Sequence, residues 1–396
     1  MMDSSSSSNA ASTTLADNAD ATRRRKLAIA GQIAFLPTGI LTTLLSPMLP
    51  ILSKRWVLTD AQAGVFFPIQ FLSQLTGVLL SGFMLARVGF RAVFLSGLLL
   101  MAAGASTLFL GTMGLGMASV AVYGLGLGLI IPTTNLMAAE VSTGSRAAAV
   151  SLLNFFWGVG AVVGSLLVAW AARNQRVPLF LGAVAVLLVL LAIAARNLPF
   201  PHARPAGESP IPWREIARNP VTWLFAVVFF LYPGAETCVG GWVGSFVSQM
   251  GMGTTAVAAM IPAFFYAALT AGRGVGGWLL RHLSEHRVLQ GGYALAAVGI
   301  GILLRSSNVT EVKISAALTG LAYATLYPIT VARLSHRYGV DARSVGSLMF
   351  SLAALGPAAL PWLVGMVSQS AGSLRAGLAV PLVATVILFF IHLRDW

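Results

Sequence analysis

The chain has 396 residues, of which 57% are hydrophobic and 9% charged, against roughly 25% charged for an ordinary soluble domain. So apolar a composition excludes a water-soluble globule, which would lack the polar residues to cover its surface. The formal net charge of +13 does not mark a nucleic-acid binder, because the basic residues sit between apolar stretches and form no patch. The lone cysteine, Cys238, excludes an internal disulfide framework and fits no cysteine-based metal site.

Residues 1–22 are rich in Ser, Ala and Asp without apolar periodicity, and residues 1–26 are expected to be a disordered cytoplasmic tail. The cluster Arg23-Arg24-Arg25-Lys26 leads directly into a full-length apolar stretch without a clear cleavage signature, so the tail is expected to stay attached. A helix needs about 20 apolar residues to cross the hydrocarbon core. By that rule twelve spans are expected, near 27–51, 63–86, 92–111, 114–138, 147–171, 177–196, 221–247, 255–280, 288–304, 312–334, 344–368 and 373–393. The fold class is therefore all-α and integral to the membrane. A proline-rich cytoplasmic linker, 197–220, separates an N-terminal six-helix bundle (27–196) from a C-terminal one (221–396).

Placing both termini in the cytoplasm puts 17 of the 25 Lys and Arg residues inside and 7 outside, with Arg273 alone inside a span. This is the positive-inside bias, and an odd number of spans would scramble it. The location it implies is a multi-pass protein of the plasma (inner) membrane.

The halves repeat at an offset near 196. Gly124-Leu125 and Pro132-x-Thr134 in span 4 match Gly320-Leu321 and Pro328-x-Thr330 in span 10. Ser151-Leu152 and Gly160 in span 5 match Ser347-Leu348 and Gly356 in span 11. Gly39 and Gly234 correspond in spans 1 and 7. A duplicated unit implies two pseudo-symmetric bundles with a site between them near the midplane.

The turn between spans 2 and 3 runs from Gly82 through Ala86, Arg87, Gly89 and Phe90 to Arg91. It resembles the cytoplasmic G-x-x-x-D-R-x-G-R-R signature of the major facilitator superfamily. Ala86 stands where the family has Asp, and Phe90 where it usually has a basic residue. The resemblance covers 27–393 and implies two six-helix bundles, alternating access and a cytoplasmic gate. Three stretches, GLGLGLIIPTTN (124–135), LLNFFWGVGAVVGS (152–165) and YPGAETCVGGW (232–242), resemble the fucose permease-like branch.

Among the twelve acidic residues, Glu236 alone lies near the middle of a span. A carboxylate at that depth costs several kcal/mol unless it is paired, protonated or wetted, so its default reading is functional. Tyr232-Pro233-Gly234, one turn earlier, is expected to weaken the helix there. Phe225, Phe229, Tyr232 and Glu236 share a stripe; rings against C–H faces and a carboxylate accepting from hydroxyls suit a polyhydroxylated solute. Glu236 is expected to bind that solute or carry a coupled proton, since apolar surroundings favour the neutral acid.

Other expected solute contacts are Asn135, Asn154, Gln70, Gln74, Tyr323, Tyr327, Trp157 and Thr38. The amides can instead join helices, and Thr38 can bond its own backbone. Arg273 could pair with Glu236. However, at ~1.5 Å per residue it lies about 12 Å from the cytoplasmic end of its span, and Glu236 about 22 Å from its own. Arg273 is thus assigned to the cytoplasmic gate with Gly82, Arg87, Gly89, Arg91, Glu140 and Arg146, where Glu140 is expected to ion-pair near Arg87 and Arg146.

No His-Glu-x-x-His, Gly-x-Ser-x-Gly or phosphate-binding Gly-x-x-x-x-Gly-Lys motif occurs, so neither an enzyme nor a primary pump is expected, and no cofactor or metal. The expected function is secondary transport of a small polar solute, a sugar on the resemblance, coupled to a proton. A drug or metabolite exporter and a non-transporting nutrient sensor are the alternatives. The expected partners are the solute, the proton and the lipid bilayer, with no nucleic acid and a monomeric protein.

Overall fold

The computed structural model describes residues 4–142, 145–201, 218–339 and 342–394. The middle of the expected linker, including Arg204 and Arg214, lies outside them, as do the side chains of Arg146, Arg343 and Ser347. The described residues form fifteen helices. They are α1 (Ser4–Thr42), α2 (Leu45–Trp56), α3 (Asp60–Gly64), α4 (Phe66–Thr107), α5 (Met113–Val141), α6 (Arg146–Arg173) and α7 (Val177–Ala195), then α8 (Pro220–Gln249), α9 (Thr255–His282), α10 (Glu285–Arg305), α11 (Val309–Tyr323), α12 (Leu326–Tyr338), α13 (Ala342–Ala371), α14 (Leu374–Gly377) and α15 (Ala379–Ile391).

Eleven helical runs among the described residues are long and apolar enough to cross a membrane. One of them, Asp60–Thr107, covers two expected spans. At 1.5 Å per residue α4 alone is about 63 Å long, twice the hydrocarbon core. Its run is interrupted at Gly89, whose φ of 77° and ψ of 173° are not helical. Glycine meets no steric penalty in that conformation. Large apolar side chains such as Val186, Leu190 and Ile193 of α7 are more than half exposed, as a lipid-facing surface requires.

Two expectations about local structure fail. The tail is helix from Ser4 onward, continuous with α1, because nothing between Ser4 and Lys26 breaks a helix already nucleated by the apolar run. The Tyr232-Pro233-Gly234 stretch does not interrupt α8. There the Thr237 hydroxyl donates to the Pro233 carbonyl at 2.7 Å, and Gly234 packs against Leu360 of α13. The interruptions fall elsewhere, at Thr43–Leu44 between α1 and α2 and at Ala324–Thr325 between α11 and α12.

Packing repeats between the halves. In the first, α1 packs on α6; in the second, α8 packs on α13. A β-carbon at Gly160 would collide with the Leu36 carbonyl, and one at Gly356 with the Phe230 carbonyl. Glycine therefore lets both helix pairs approach backbone to backbone. Between the halves the large contacts are α4 with α13 and α6 with α9.

Candidate functional site

Between the halves lies a cavity of about 160 Å³. From the first half it is walled by Thr42, Thr43 and Ser46 at the α1–α2 interruption, by Phe67 and Gln70 of α4 and by Trp157 of α6. From the second half come Glu236, Thr237 and Gly241 of α8, with Phe265 and Tyr266 of α9. A larger cavity of about 480 Å³, beside Arg24 and Arg25 within the first half, is lined by neither a carboxylate nor an aromatic ring.

Glu236 faces the central cavity and is half-buried. Its Oε2 is hydrogen-bonded to the Tyr232 hydroxyl, one helical turn away on α8. The same hydroxyl donates to the backbone carbonyl of Tyr323 at 3.0 Å. The Tyr232 ring stacks on Tyr327 (6.1 Å between centroids, 22° between planes) and meets Tyr323 edge-on at 5.6 Å. Three tyrosines thus form a wall behind the carboxyl. The Tyr323 hydroxyl turns away from the cavity to Thr385 at 2.6 Å.

Gln70 is buried and held at both ends of its amide. Nε2 donates to the Thr42 carbonyl at 2.8 Å, and Oε1 accepts from the Tyr123 hydroxyl at 2.9 Å. One N–H remains for a solute. Trp157 lines the cavity and meets Tyr266 edge-on at 6.4 Å. The guanidinium of Arg273 lies 5.5 Å from the Trp157 ring centroid and within electrostatic reach of Glu236. Its side chain thus reaches from α9 towards a cavity-lining ring of the first half.

The remaining expected contacts do not line this cavity. Thr38 is fully buried and donates to Ala34 of its own helix at 2.8 Å. Asn135 donates to Ile131 at 3.0 Å, and its Oδ1 is buried without a hydrogen-bond partner, as is Oε1 of Gln74. Asn154 is exposed and bonds its own helix at Val150.

At the α4 turn Arg91 donates to the Leu198 carbonyl at 3.1 Å. The guanidinium of Arg87 sits over the Phe83 ring at 3.9 Å instead of pairing with Glu140, which is exposed. With Ala86 offering no carboxylate, the nearest attraction for that cation is the ring one turn back on its own helix. Gly82 has nothing near its missing β-carbon, and Arg146 is described in backbone only.

Tyr266 and Ser46 are among the site residues that escaped sequence reasoning. Tyr266 stands one turn after Pro262 within an apolar helix, a mark that could have drawn attention to it. The Ser46 hydroxyl donates to the Gly240 carbonyl, tying α2 to α8 across the cavity. Trp242, fully buried, donates its indole N–H to the Pro361 carbonyl at 3.0 Å and packs on Phe67 of the other half. Beyond Trp242 the halves are joined at the α3 end. There the Asp60 carboxylate accepts from Ser368 of α13 and Gln249 of α8, and Lys54 donates to Thr255 at 2.7 Å. A capping box, Thr59 with Gln62, fixes the start of α3 and hence the position of Asp60. The cavity is thus closed on the α3 side.

A membrane-embedded helical protein whose carboxyl-bearing cavity is shared between two halves has the form of a solute carrier. Residues 33–311 match the Major Facilitator Superfamily, and the chain belongs to that family of transporters; it is not an enzyme. It is 25% identical over 367 residues to an uncharacterized MFS-type transporter of Yersinia pestis, covering 90% of this chain and 93% of that one. Its fold is similar to that of the nucleoside transporter NupG (TM-score 0.78, 13% identity, 94% of this chain and 99% of that one). It is also similar to a bacterial homolog of the human lysosomal transporter Spinster, solved inward-facing and occupied (TM-score 0.77, 16% identity, 93% and 96%). The fucose:proton symporter FucP of E. coli shares the fold at a TM-score of 0.62 and 17% identity, over 92% of this chain and 97% of that one.

Proposed function

We propose that the protein moves a small polyhydroxylated solute across the plasma (inner) membrane by alternating access, coupled to a proton carried by Glu236. The observation that carries this reading is the placement of Glu236, a mid-span carboxyl that opens onto the cavity between the halves. Desolvation favours the neutral acid, and access to water from one side at a time lets the proton exchange. The hydroxyls of Thr42, Thr43, Ser46 and Thr237 and the rings of Trp157 and Tyr266 supply the polar contacts and flat faces that a sugar-like solute needs. NupG is named for nucleosides and FucP for fucose, both polyhydroxylated, which supports the same class here.

In this reading the chain crosses the membrane twelve times as a monomer, with α4 making two crossings joined at Gly89 and with bundles 27–196 and 221–396. The distribution of Lys and Arg supports cytoplasmic termini. The α3 end is then the outer one, and the structure is the outward-closed state. The cavity, smaller than the ~300–1,000 Å³ of drug-sized sites, is contracted around the solute position.

The test is uptake by proteoliposomes under an imposed pH gradient, offered hexoses, 6-deoxyhexoses and nucleosides. Accumulation driven by the gradient is expected, falling in Glu236→Gln to the level seen without a gradient. Coupled accumulation that survives that substitution overturns the coupling role. The aromatic wall of Phe67, Phe71, Trp157 and Phe265 facing one carboxyl also favours a second reading, an exporter of lipophilic cations. Efflux of such cations, with no sugar or nucleoside uptake, would select it.

A further inference from the structure

At two of the interruptions in the membrane helices a backbone carbonyl accepts from a side chain of another helix. At the α1–α2 interruption the Thr42 carbonyl accepts from Gln70. At the α11–α12 interruption the Tyr323 carbonyl accepts from Tyr232. The first cap is an amide, which keeps its protons at any physiological pH. The second is a phenol in contact with a carboxyl.

Tyr232 has one hydroxyl proton and two neighbours. A backbone carbonyl can only accept, so the proton that satisfies Tyr323 must come from Tyr232. The contact between Tyr232 and Glu236 then needs its proton from the carboxyl. Both bonds stand together only when Glu236 is neutral and donates. Remove that proton, and two acceptors compete for the one phenolic hydrogen. Hydrogen bonds to an ionised acceptor are roughly twice as strong as neutral ones. The hydroxyl turns to the carboxylate, and the Tyr323 carbonyl loses its partner where the helix is already broken.

The titratable and charged groups facing Glu236 are Arg273 and Tyr266 from α9, Tyr323 from α11, Tyr327 from α12 and Tyr232 on its own helix. Among these described residues Arg273 alone carries a standing charge. Its Nε has no hydrogen-bond partner.

We propose that Tyr232 is a positioning residue that transmits the protonation state of Glu236 to the interruption between α11 and α12, pinning it when Glu236 is protonated and releasing it when the proton leaves. This rests on the reading of Glu236 as the proton carrier. It adds the route by which that proton controls a second helix.

The test is hydrogen–deuterium exchange of the full chain in nanodiscs, without solute, at acidic and alkaline pD, corrected for intrinsic exchange. In the wild type, peptides covering residues 320–330 are expected to exchange several-fold to about tenfold faster at alkaline pD, the change expected for one hydrogen bond of ordinary net strength. Glu236→Gln, whose amide can donate to Tyr232 as the neutral acid does, is expected to stay slow at both. Tyr232→Phe is expected to be fast at both. Peptides over residues 39–47, capped by Gln70, are expected to be insensitive to pD in every variant. Equal wild-type protection at both pD values overturns the proposal. So does a wild-type pD response in Tyr232→Phe, or a pD response at 39–47 of the same size. Absence of gradient-driven uptake in the wild type, or its survival in Glu236→Gln, would remove the transport role of Glu236 while leaving this exchange pattern in place. Coupled uptake with a flat exchange pattern would do the reverse.

Discussion

The sharpest mechanical test concerns Asp60. Its carboxylate lies in the first half and accepts from Ser368 and Gln249, both in the second. These bonds exist only while the α3 end is closed, so they bias the equilibrium between closed and open at that end. Ser368 is 1% exposed, and a sheltered hydrogen bond to a charged acceptor contributes about 1.5–3 kcal/mol. The Gln249 contact is exposed and is worth at most about 1 kcal/mol once screened by water. Asp60→Ala therefore removes about 2–4 kcal/mol from the closed state, a population shift on the order of 30-fold or more. The assay places a cysteine at Thr43, on the cavity wall, in a Cys238→Ser background. It then measures labelling by a membrane-impermeant maleimide applied from the α3 side. Labelling is expected to be at least about tenfold faster in Asp60→Ala. Ser368→Ala should give a smaller increase, and the double variant should add little to Asp60→Ala because both remove the same bond. Unchanged labelling in Asp60→Ala would refute the assignment of this contact as a latch between the halves.

Other outcomes follow from packing. Gly160→Ala and Gly356→Ala each force a β-carbon into a backbone carbonyl that cannot swing aside, and each is expected to destabilise by about 1–3 kcal/mol. Gly182→Ala, with nothing within 4 Å of the new carbon, is expected to be neutral or up to about 1 kcal/mol stabilising. Thermal melting of the three variants in one detergent checks this, and three equal melting temperatures would contradict it. Trp242→Phe removes the indole N–H that bonds the Pro361 carbonyl in a fully buried setting. It is expected to lower stability by about 1–3 kcal/mol, read by the same melting assay, with the cavity-facing residues left in place.

Apolar runs made most of the membrane helices legible in the sequence, since a run of the length of α7 has no other solvent. The Gly160 and Gly356 correspondence was legible too, because backbone-to-backbone approach at equivalent positions admits no side chain. Glu236 stood out because a lone mid-span carboxyl is costly anywhere else. What stayed hidden depends on distant partners. Asp60 reads as an ordinary loop acid until folding brings Ser368, 308 residues away, against it. Pro233 reads as a helix break, but the local bond from Thr237 and packing against α13 keep α8 whole. The interruption at Thr43–Leu44 carries no glycine or proline; Gln70, held by Tyr123, takes up the Thr42 carbonyl there. Asn135 and Asn154 read as solute contacts because an amide in an apolar helix needs a partner, and each donates to a carbonyl of its own helix.

These contacts converge on α8. Along one helix lie Tyr232, which holds the α11–α12 interruption, and Glu236, which opens on the cavity. Gly240 follows, accepting from Ser46 of the first half, and then Trp242, packed on Phe67. Gln249 completes the series by reaching Asp60. On the proposed reading, a solute or proton acting at Glu236 would push on the same helix that carries the closing contacts towards one end and the Tyr232 contact towards the other. A helix broken at Pro233 would bend at that point and relay little of such a push. The continuity of α8 through Pro233, kept by Thr237 and the packing of α13, would let such an event at mid-membrane reach the α3 latch.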